Sequence, residues 1–287
     1  MSQACHLKMR LLFEVLTCLV IGVVAATKSH WSNSNIYVIG TAKDVAQHLP
    51  YLKKNINAVT SLFQSHKIFI YSHKNSVQDF QSWRKENSNV KILVQKYEHP
   101  SRTDRLAYGR NELMKTVHAD SSKSSHLKNS LLLILDFDEV NVQPINIQTF
   151  RGAIDRSSEW EMVSFHRPYF YDIWSLRYER FNINIWNFGT KSLLLRDIIE
   201  ADIVSLLDTS NPSFLPVYSV FNGLAVYKLP MTVDCLYNGS NSEVFAPDTI
   251  YGASRISVKE DCEHVSFHLC MSKKHDARIR IYSQSLF

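Results

Sequence analysis

The sequence predicts an α/β fold, a mainly parallel sheet flanked by helices on both faces, with an irregular, aromatic-rich second half. Three observations point there. Strand-length apolar runs alternate with helix-length amphipathic stretches through the first half. The 287 residues suit one large α/β domain or two small ones, and are enough to bury a substantial core. No internal repeat, low-complexity tract or linker interrupts the chain, so one continuous domain over 31–287 is the economical reading.

The elements follow in order. Residues 1–30 begin with a weakly basic stretch (Lys8, Arg10), continue as an apolar run over 11–26 and end on the small residues Ala25 and Ala26. That is the layout of a secretory signal peptide cleaved after Ala26. An uncleaved single-pass signal anchor is the rival, although the run falls short of the ~20 apolar residues of a typical span and carries Glu14. Both readings deliver the domain to the secretory lumen, as a type II protein of the Golgi or ER membrane or as a secreted one. IYVIG (36–40) reads as the first strand. A helix over 49–63 tolerates Pro50 in its first turn. KIFIYS (67–72) is the second strand, Ser76 caps a short helix, and VKILV (90–94) is the third strand. SRTDRLAYGRNELMKTVH (101–118) places Leu106, Leu113 and Val117 at helical spacing, and SSKSSHLKNS (121–130) reads as a polar loop. The fourth strand opens LLLILDFDEV (131–140). Beyond it, EMVSF (161–165), GLAVYKL (223–229) and RIRIY (278–282) are strand candidates, with a helix near RDIIEADIVSLL (196–207).

Composition narrows the function. The net charge of +5 is spread along the chain without a basic run, which gives nucleic-acid binding little support. Glycine occurs only eight times, well under the usual ~7%. Neither a dinucleotide fingerprint nor a P-loop is present, so a bound phosphate would need another source of positive charge. Cys5 and Cys18 fall in the targeting segment, which leaves Cys235, Cys262 and Cys270 in the body. One disulfide plus one free thiol fits these three, their spacing matches no zinc site, and buried free cysteine is the plain alternative. Asn238-Gly239-Ser240 is the single N-x-[ST] acceptor and hints at an exposed lumenal loop.

The acidic cluster at the end of the fourth strand carries the chemistry. Residues i and i+2 of a strand share a face, so Asp136 and Asp138 can converge while Phe137 turns away. Two such carboxylates repel unless one is protonated or a cation lies between them. Mg²⁺ or Mn²⁺, commonly held by one or two carboxylates together with substrate phosphates, resolves the repulsion. The plain alternative has Asp136 capping a turn among solvated neighbours. DFDEV also approaches the D-x-D-x-[TV] strand of haloacid-dehalogenase-like phosphatases, in which Asp136 would be the nucleophile. Three strands precede it here, however, Glu139 stands where glycine is frequent, and no clear acidic pair follows.

Further stretches extend the comparison. RTDRLAYGRNELM resembles the R-x-x-R-[IL]-A-x-x-R-N helix of some nucleotide-sugar glycosyltransferases of the GT-A class. FYDIWSLR (170–177), VFNGLAVYKL (220–229) and DCEHVSFH (261–268) resemble, more loosely, segments of the fungal capsule-associated α-mannosyltransferases. The similarity covers most of 36–282. Where that group carries N-D-V this chain has Asp138-Glu139-Val140, which leaves the sugar open. The resemblance implies a GT-A-like, Rossmann-type sheet, with 31–140 as nucleotide-binding half and 141–287 as acceptor-side half. It also implies transfer from a UDP- or GDP-sugar to a hydroxyl of a glycan or glycoprotein, or a catalytically inactive sugar-binding descendant of that fold. On this reading Asp138 coordinates the metal and Asp136 contacts ribose or a metal-bound water. Arg102, Arg105 and Arg110 are set for phosphate oxygens, whose geometry guanidinium forks match. Asn111 bonds either nucleotide or nearby backbone. His264 is the better candidate for a third metal ligand, with His268 on the same helix face. Asp172, Asp261 and Glu263 compete as general base. Among the aromatics Tyr169, Tyr171, Trp174, Trp186 and Phe188, Trp174 is the expected sugar contact, and Asn222-Gly223 is where a ligand could approach the backbone.

Overall fold

The computed structural model describes residues 30–123, 127–207, 209–240, 249–250, 253–254 and 259–287. The targeting segment expected from the sequence lies outside the described residues, among which no helix is long and apolar enough to cross a membrane. The strands are β1 (Asn35–Ala42), β2 (Ser65–Ser72), β3 (Val90–Val94), β4 (Ser130–Leu135), β5 (Met162–His166), β6 (Phe214–Val217), β7 (Leu224–Lys228), the short hairpin β8 (Thr249–Ile250) and β9 (Ala253–Ser254), and β10 (Ile279–Ser285). The helices are α1 (Leu49–Thr60), α2 (Gln81–Glu86), α3 (Arg102–Lys123), α4 (Ile147–Asp155), α5 (Ser192–Leu206) and α6 (Glu263–His275).

Eight strands form one sheet in the order β3-β2-β1-β4-β7-β5-β10-β6. β1 to β4 are mutually parallel, β7 runs against both β4 and β5, and β6 runs against β10. The architecture is therefore mixed α/β with a mainly parallel sheet, as the alternation of apolar and amphipathic segments implies. Period-two alternation splits each central strand between two cores. Ile36, Val38, Leu131, Leu133 and Leu135 face α1, α2 and α4 through Leu52, Ile56, Trp83 and Phe150. Tyr37, Ile39, Leu132 and Ile134 face α3, α5 and α6 through Leu113, Met114, Leu195 and Phe267. Burial on both faces is why LLLIL reads as an unbroken apolar run.

Two local expectations change, and one edge strand is added. Ser76 lies inside a 3₁₀ helix over Lys74–Phe80 whose cap is His73, and its hydroxyl accepts from the Asp44 amide at 2.8 Å. The polar stretch from 121 is not all loop: α3 runs on to Lys123, and 127–129 form a 3₁₀ turn. β6 carries Pro216 and pairs only with β10 at the sheet edge, where a missing N–H costs least. Cys235 and Cys270 form a disulfide, tying the stretch after β7 to α6, while Cys262 is free and buried.

Candidate active site

The carboxyl ends of β1 to β4 open into a cleft of about 510 Å³, the place where open parallel sheets bind ligands. β1 can approach the end of β4 closely because Gly40 has no side chain. A Cβ there would lie 2.3 Å from the Leu135 carbonyl and 2.4 Å from the Phe137 ring. Phe137 packs below the cleft against Phe80 and Trp83, so Asp136 and Asp138 on either side of it reach the cleft wall.

After β4 the chain leaves regular structure, and side chains take over its backbone hydrogen bonds. The Asp136 amide donates to Gly223 O at 2.9 Å, and Asn141 Nδ2 donates to the carbonyls of Asp136 and Gly223 at 2.8 Å each. Asn55, from α1, donates to Asn141 O at 2.8 Å and accepts from the Ile145 amide at 3.1 Å. Arg167 donates to Asn222 O, Val140 O and Asn141 Oδ1, all at 2.7 Å. Gly223 has φ +82°, and a Cβ on it would meet Val140 at 2.9 Å. Asn222 and Gly223 thus stand behind the acidic loop as its support; neither lines the cleft, so the expected approach of a ligand to their backbone is not what the structure shows. Asn222 is 1% exposed, with its amide oxygen accepting from the Tyr171 amide and its amide nitrogen donating to Phe165 O.

The carboxylates differ in their surroundings. Asp136 Oδ1 accepts from Arg110 Nη2 at 2.9 Å. Desolvation pushes Asp136 up to about 7, with Arg110 pulling it down and Asp138 adding to the rise. Asp138 accepts from the Val140 amide on Oδ1 at 3.1 Å and from the Tyr171 hydroxyl on Oδ2 at 2.9 Å. Desolvation also raises Asp172, to about 6, against the pull of Arg110 and Arg102. Its Oδ2 lies 3.7 Å from the Cys262 thiol. Glu263 lines the cleft but is 3% exposed and paired with Arg110. Asp261 is 1% exposed and lies outside the lining, held by the fully buried Arg177 at 2.7 Å.

The three arginines of α3 diverge as well. Arg110 is buried between Asp136 and Glu263, with its guanidinium over the Phe221 and Tyr237 rings at 5.3 and 5.8 Å. Arg105 lines the cleft while bonding the carbonyls of His99 and Pro100. Arg102 lines the cleft, exposed, and pulls on both Asp136 and Asp172 from there. Asn111 exchanges two hydrogen bonds with the backbone of Tyr237, at 2.9 and 2.8 Å, which uses its amide as a clasp between α3 and the segment before α6. Of the two alternatives weighed for Asn111, this is backbone bonding.

His264 is not brought to the carboxylates. It is 1% exposed, stacked on Phe221 at 3.8 Å, outside the cleft lining, and burial holds its pKa well below the usual value. His268 bonds Ser219 Oγ and Tyr227 OH, both at 2.9 Å. The two histidines share a helix face as their spacing implies, but that face lies against an apolar layer.

No protein-family model and no curated protein matches the chain. Among solved structures it is similar to S. aureus TarS 1-349 in complex with UDP-GlcNAc, at 12% identity and a TM-score of 0.41, over 87% of this chain and 56% of that one. It is also similar to the mannosyltransferase PcManGT from Pyrobaculum calidifontis in complex with GDP-Man and Mn²⁺, at 8% identity and a TM-score of 0.38, over 88% and 57%. The chain spans a little over half the length of these proteins. A likeness this distant carries no weight for function, which rests on the chemistry of the cleft.

Among the described residues no three His, Cys, Asp or Glu side chains are grouped to hold a metal by themselves. Asp136 and Asp138 still offer carboxylate oxygens to one cleft, a donor set suited to a hard cation that completes its shell with phosphate and water. Two contributors went unread in the sequence. Tyr171 figured only as one of several aromatics, yet its hydroxyl is on Asp138. Arg167, beside Pro168, has no motif to single it out, and its 7% exposure and three hydrogen bonds reveal its clamping role. Trp174 and Trp186 line the cleft together, ring centroids 6.0 Å apart.

Proposed function

We propose that the protein is a glycosyltransferase that moves a sugar from a UDP- or GDP-sugar to a hydroxyl of a glycan or glycoprotein, with Mn²⁺ or Mg²⁺ held by Asp138 and Asp136. One observation carries the reading. A single cleft at the ends of parallel strands combines carboxylates able to hold a cation with Arg102, Arg105 and Lys43, able to meet a diphosphate. The motif order across 101–268 supports it independently.

Each residue then has a chemical task. A cation bound at Asp138 and Asp136 would neutralise diphosphate oxygens and stabilise the departing nucleotide. Arg102 supplies further positive charge to the phosphates. Asp172 is the general base: it lines the cleft, and at about 6 it is mostly ionised at neutral pH yet basic enough to take a proton. The acceptor oxygen bonds the anomeric carbon, the bond from that carbon to phosphate oxygen breaks with its electrons leaving on the nucleoside diphosphate, and Asp172 receives the hydroxyl proton. Glu263 and Asp261 are less suited, since Arg110 and Arg177 already occupy them. Trp174 and Trp186 give the apolar wall on which a sugar ring can lie.

A phosphatase using Asp136 as nucleophile is disfavoured, because burial raises that carboxyl and Arg110 occupies one oxygen. We also place the domain in the secretory lumen; the Cys235–Cys270 disulfide and the exposed Asn238 acceptor support this. The deciding assay measures nucleotide release from a panel of UDP- and GDP-sugars with and without Mn²⁺. Release that requires the cation and disappears in Asp138→Ala is expected; release by Asp138→Ala at the wild-type rate sinks the proposal.

A further inference from the structure

Asp136 and Asp138 are restrained by different kinds of partner. The charged Arg110 holds Asp136, whereas among the described residues the hydrogen-bond donors to Asp138 are neutral, the Val140 amide on one oxygen and the Tyr171 hydroxyl on the other. We infer that Tyr171 is a positioning residue that sets the cation affinity of Asp138. The inference rests on the glycosyltransferase reading of the same cleft and adds to it a residue and a measurable role.

The geometry supports the assignment in two steps. An ionised carboxylate has about four acceptor sites, and one donor on each oxygen leaves the others open while fixing the carboxylate plane. Losing the Tyr171 bond frees rotation about the Asp138 side chain, so binding a cation must order it again. Tyr171 is itself well placed to act as a fixed donor. Its amide donates to Asn222 Oδ1 at 2.7 Å, and Asn222 is held in turn by Phe165 O, Ser164 Oγ and Arg167. The preceding Phe170 amide donates to Glu200 Oε1 at 2.8 Å, fastening this segment to α5. Arg110 fixes Asp136 through a charged hydrogen bond, so Asp138 is the ligand whose orientation depends on the Val140 amide and the Tyr171 hydroxyl.

Hydrogen-bond partners of metal-binding carboxylates typically change metal affinity by roughly 10–100-fold when removed. The test is calorimetric titration of Mn²⁺ into the full chain, with UDP or GDP present, for wild type, Tyr171→Phe and Tyr169→Phe. Tyr169 is 60% exposed and serves as the control. The expected result is a roughly 10–100-fold weaker Mn²⁺ affinity for Tyr171→Phe. Its affinity for the nucleotide without metal and its melting temperature should stay at wild-type values, and Tyr169→Phe should match wild type throughout. Wild-type Mn²⁺ affinity in Tyr171→Phe overturns the inference and leaves the glycosyltransferase reading standing. Equal loss of metal-free nucleotide binding overturns it too, since Tyr171 would then be shaping the cleft at large. A wild-type protein that binds neither Mn²⁺ nor Mg²⁺ with either nucleotide removes the parent reading along with it.

Discussion

Asp172 shows how burial shifts the proton affinity of a single carboxyl. Desolvation raises it from 3.8 to about 6, more than Arg110 and Arg102 together pull it back. The folded protein therefore holds the proton more tightly than the unfolded chain does. The stability this contributes is present below pH 3.8 and is lost as the pH rises through 6. Asparagine imitates the protonated form, so Asp172→Asn is expected to gain on the order of 1–3 kcal/mol at pH 8 and only a few tenths of that at pH 4. Paired denaturant melts at the two pH values check this. Transfer should fall at least ~10²-fold in the same variant, and a loss of stability at pH 8 would contradict the assignment. At this scale the sequence was informative where chemistry is local. Asp136 and Asp138 reach one cleft because they follow the same strand two residues apart, whereas Arg110, expected at phosphate oxygens, is taken up by Asp136 and Glu263. His264 looked equivalent on paper, but its helix turns that face towards Phe221 and away from the cleft.

The acidic loop after β4 is held by elements far from it in sequence: Asn55 on α1, Arg167 after β5, and Gly223 at the start of β7. Its position also depends on the close approach of β1, which Gly40 permits. Gly40→Ala is expected to destabilise the fold by about 1–3 kcal/mol through overpacking against Leu135 and Phe137. It should also weaken Mn²⁺ binding, because the displaced Phe137 lies between the two aspartates. A calorimetric melt beside the Mn²⁺ titration measures both, and an unchanged melt would show that β1 and β4 can separate freely. The central strands were readable for the reason that makes them stable, continuous apolar burial on both faces. β6 was not, since Pro216 and a half-exposed edge leave no alternation to detect. Ser76 satisfies the local rule for a cap, but the Asp44 amide takes its oxygen.

Across the whole molecule, residues 31–140 and 141–287 are joined by β4 pairing with β7, by the Arg110–Glu263 ion pair and by the Asn111 clasp. The Cys235–Cys270 bond closes a loop with a sequence separation of 35 just beside that clasp. Reduction is expected to cost about 3 kcal/mol, read as a lower melting temperature in dithiothreitol. Under denaturing alkylation without reductant, Cys262 should be the single body cysteine labelled; labelling of Cys235 or Cys270 as well would count against an oxidising compartment. The α/β class, the order of the central strands along the chain and the carboxylates at the mouth of the fourth are legible in the residues alone, because periodicity is a local property of adjacent residues. Which polar groups face the cleft depends on the folded arrangement. Asn111, Asn222, Asp261 and His264 are drawn into support by partners tens of residues away, while Tyr171 is brought to Asp138, and long-range pairing of that kind leaves no trace in residue spacing.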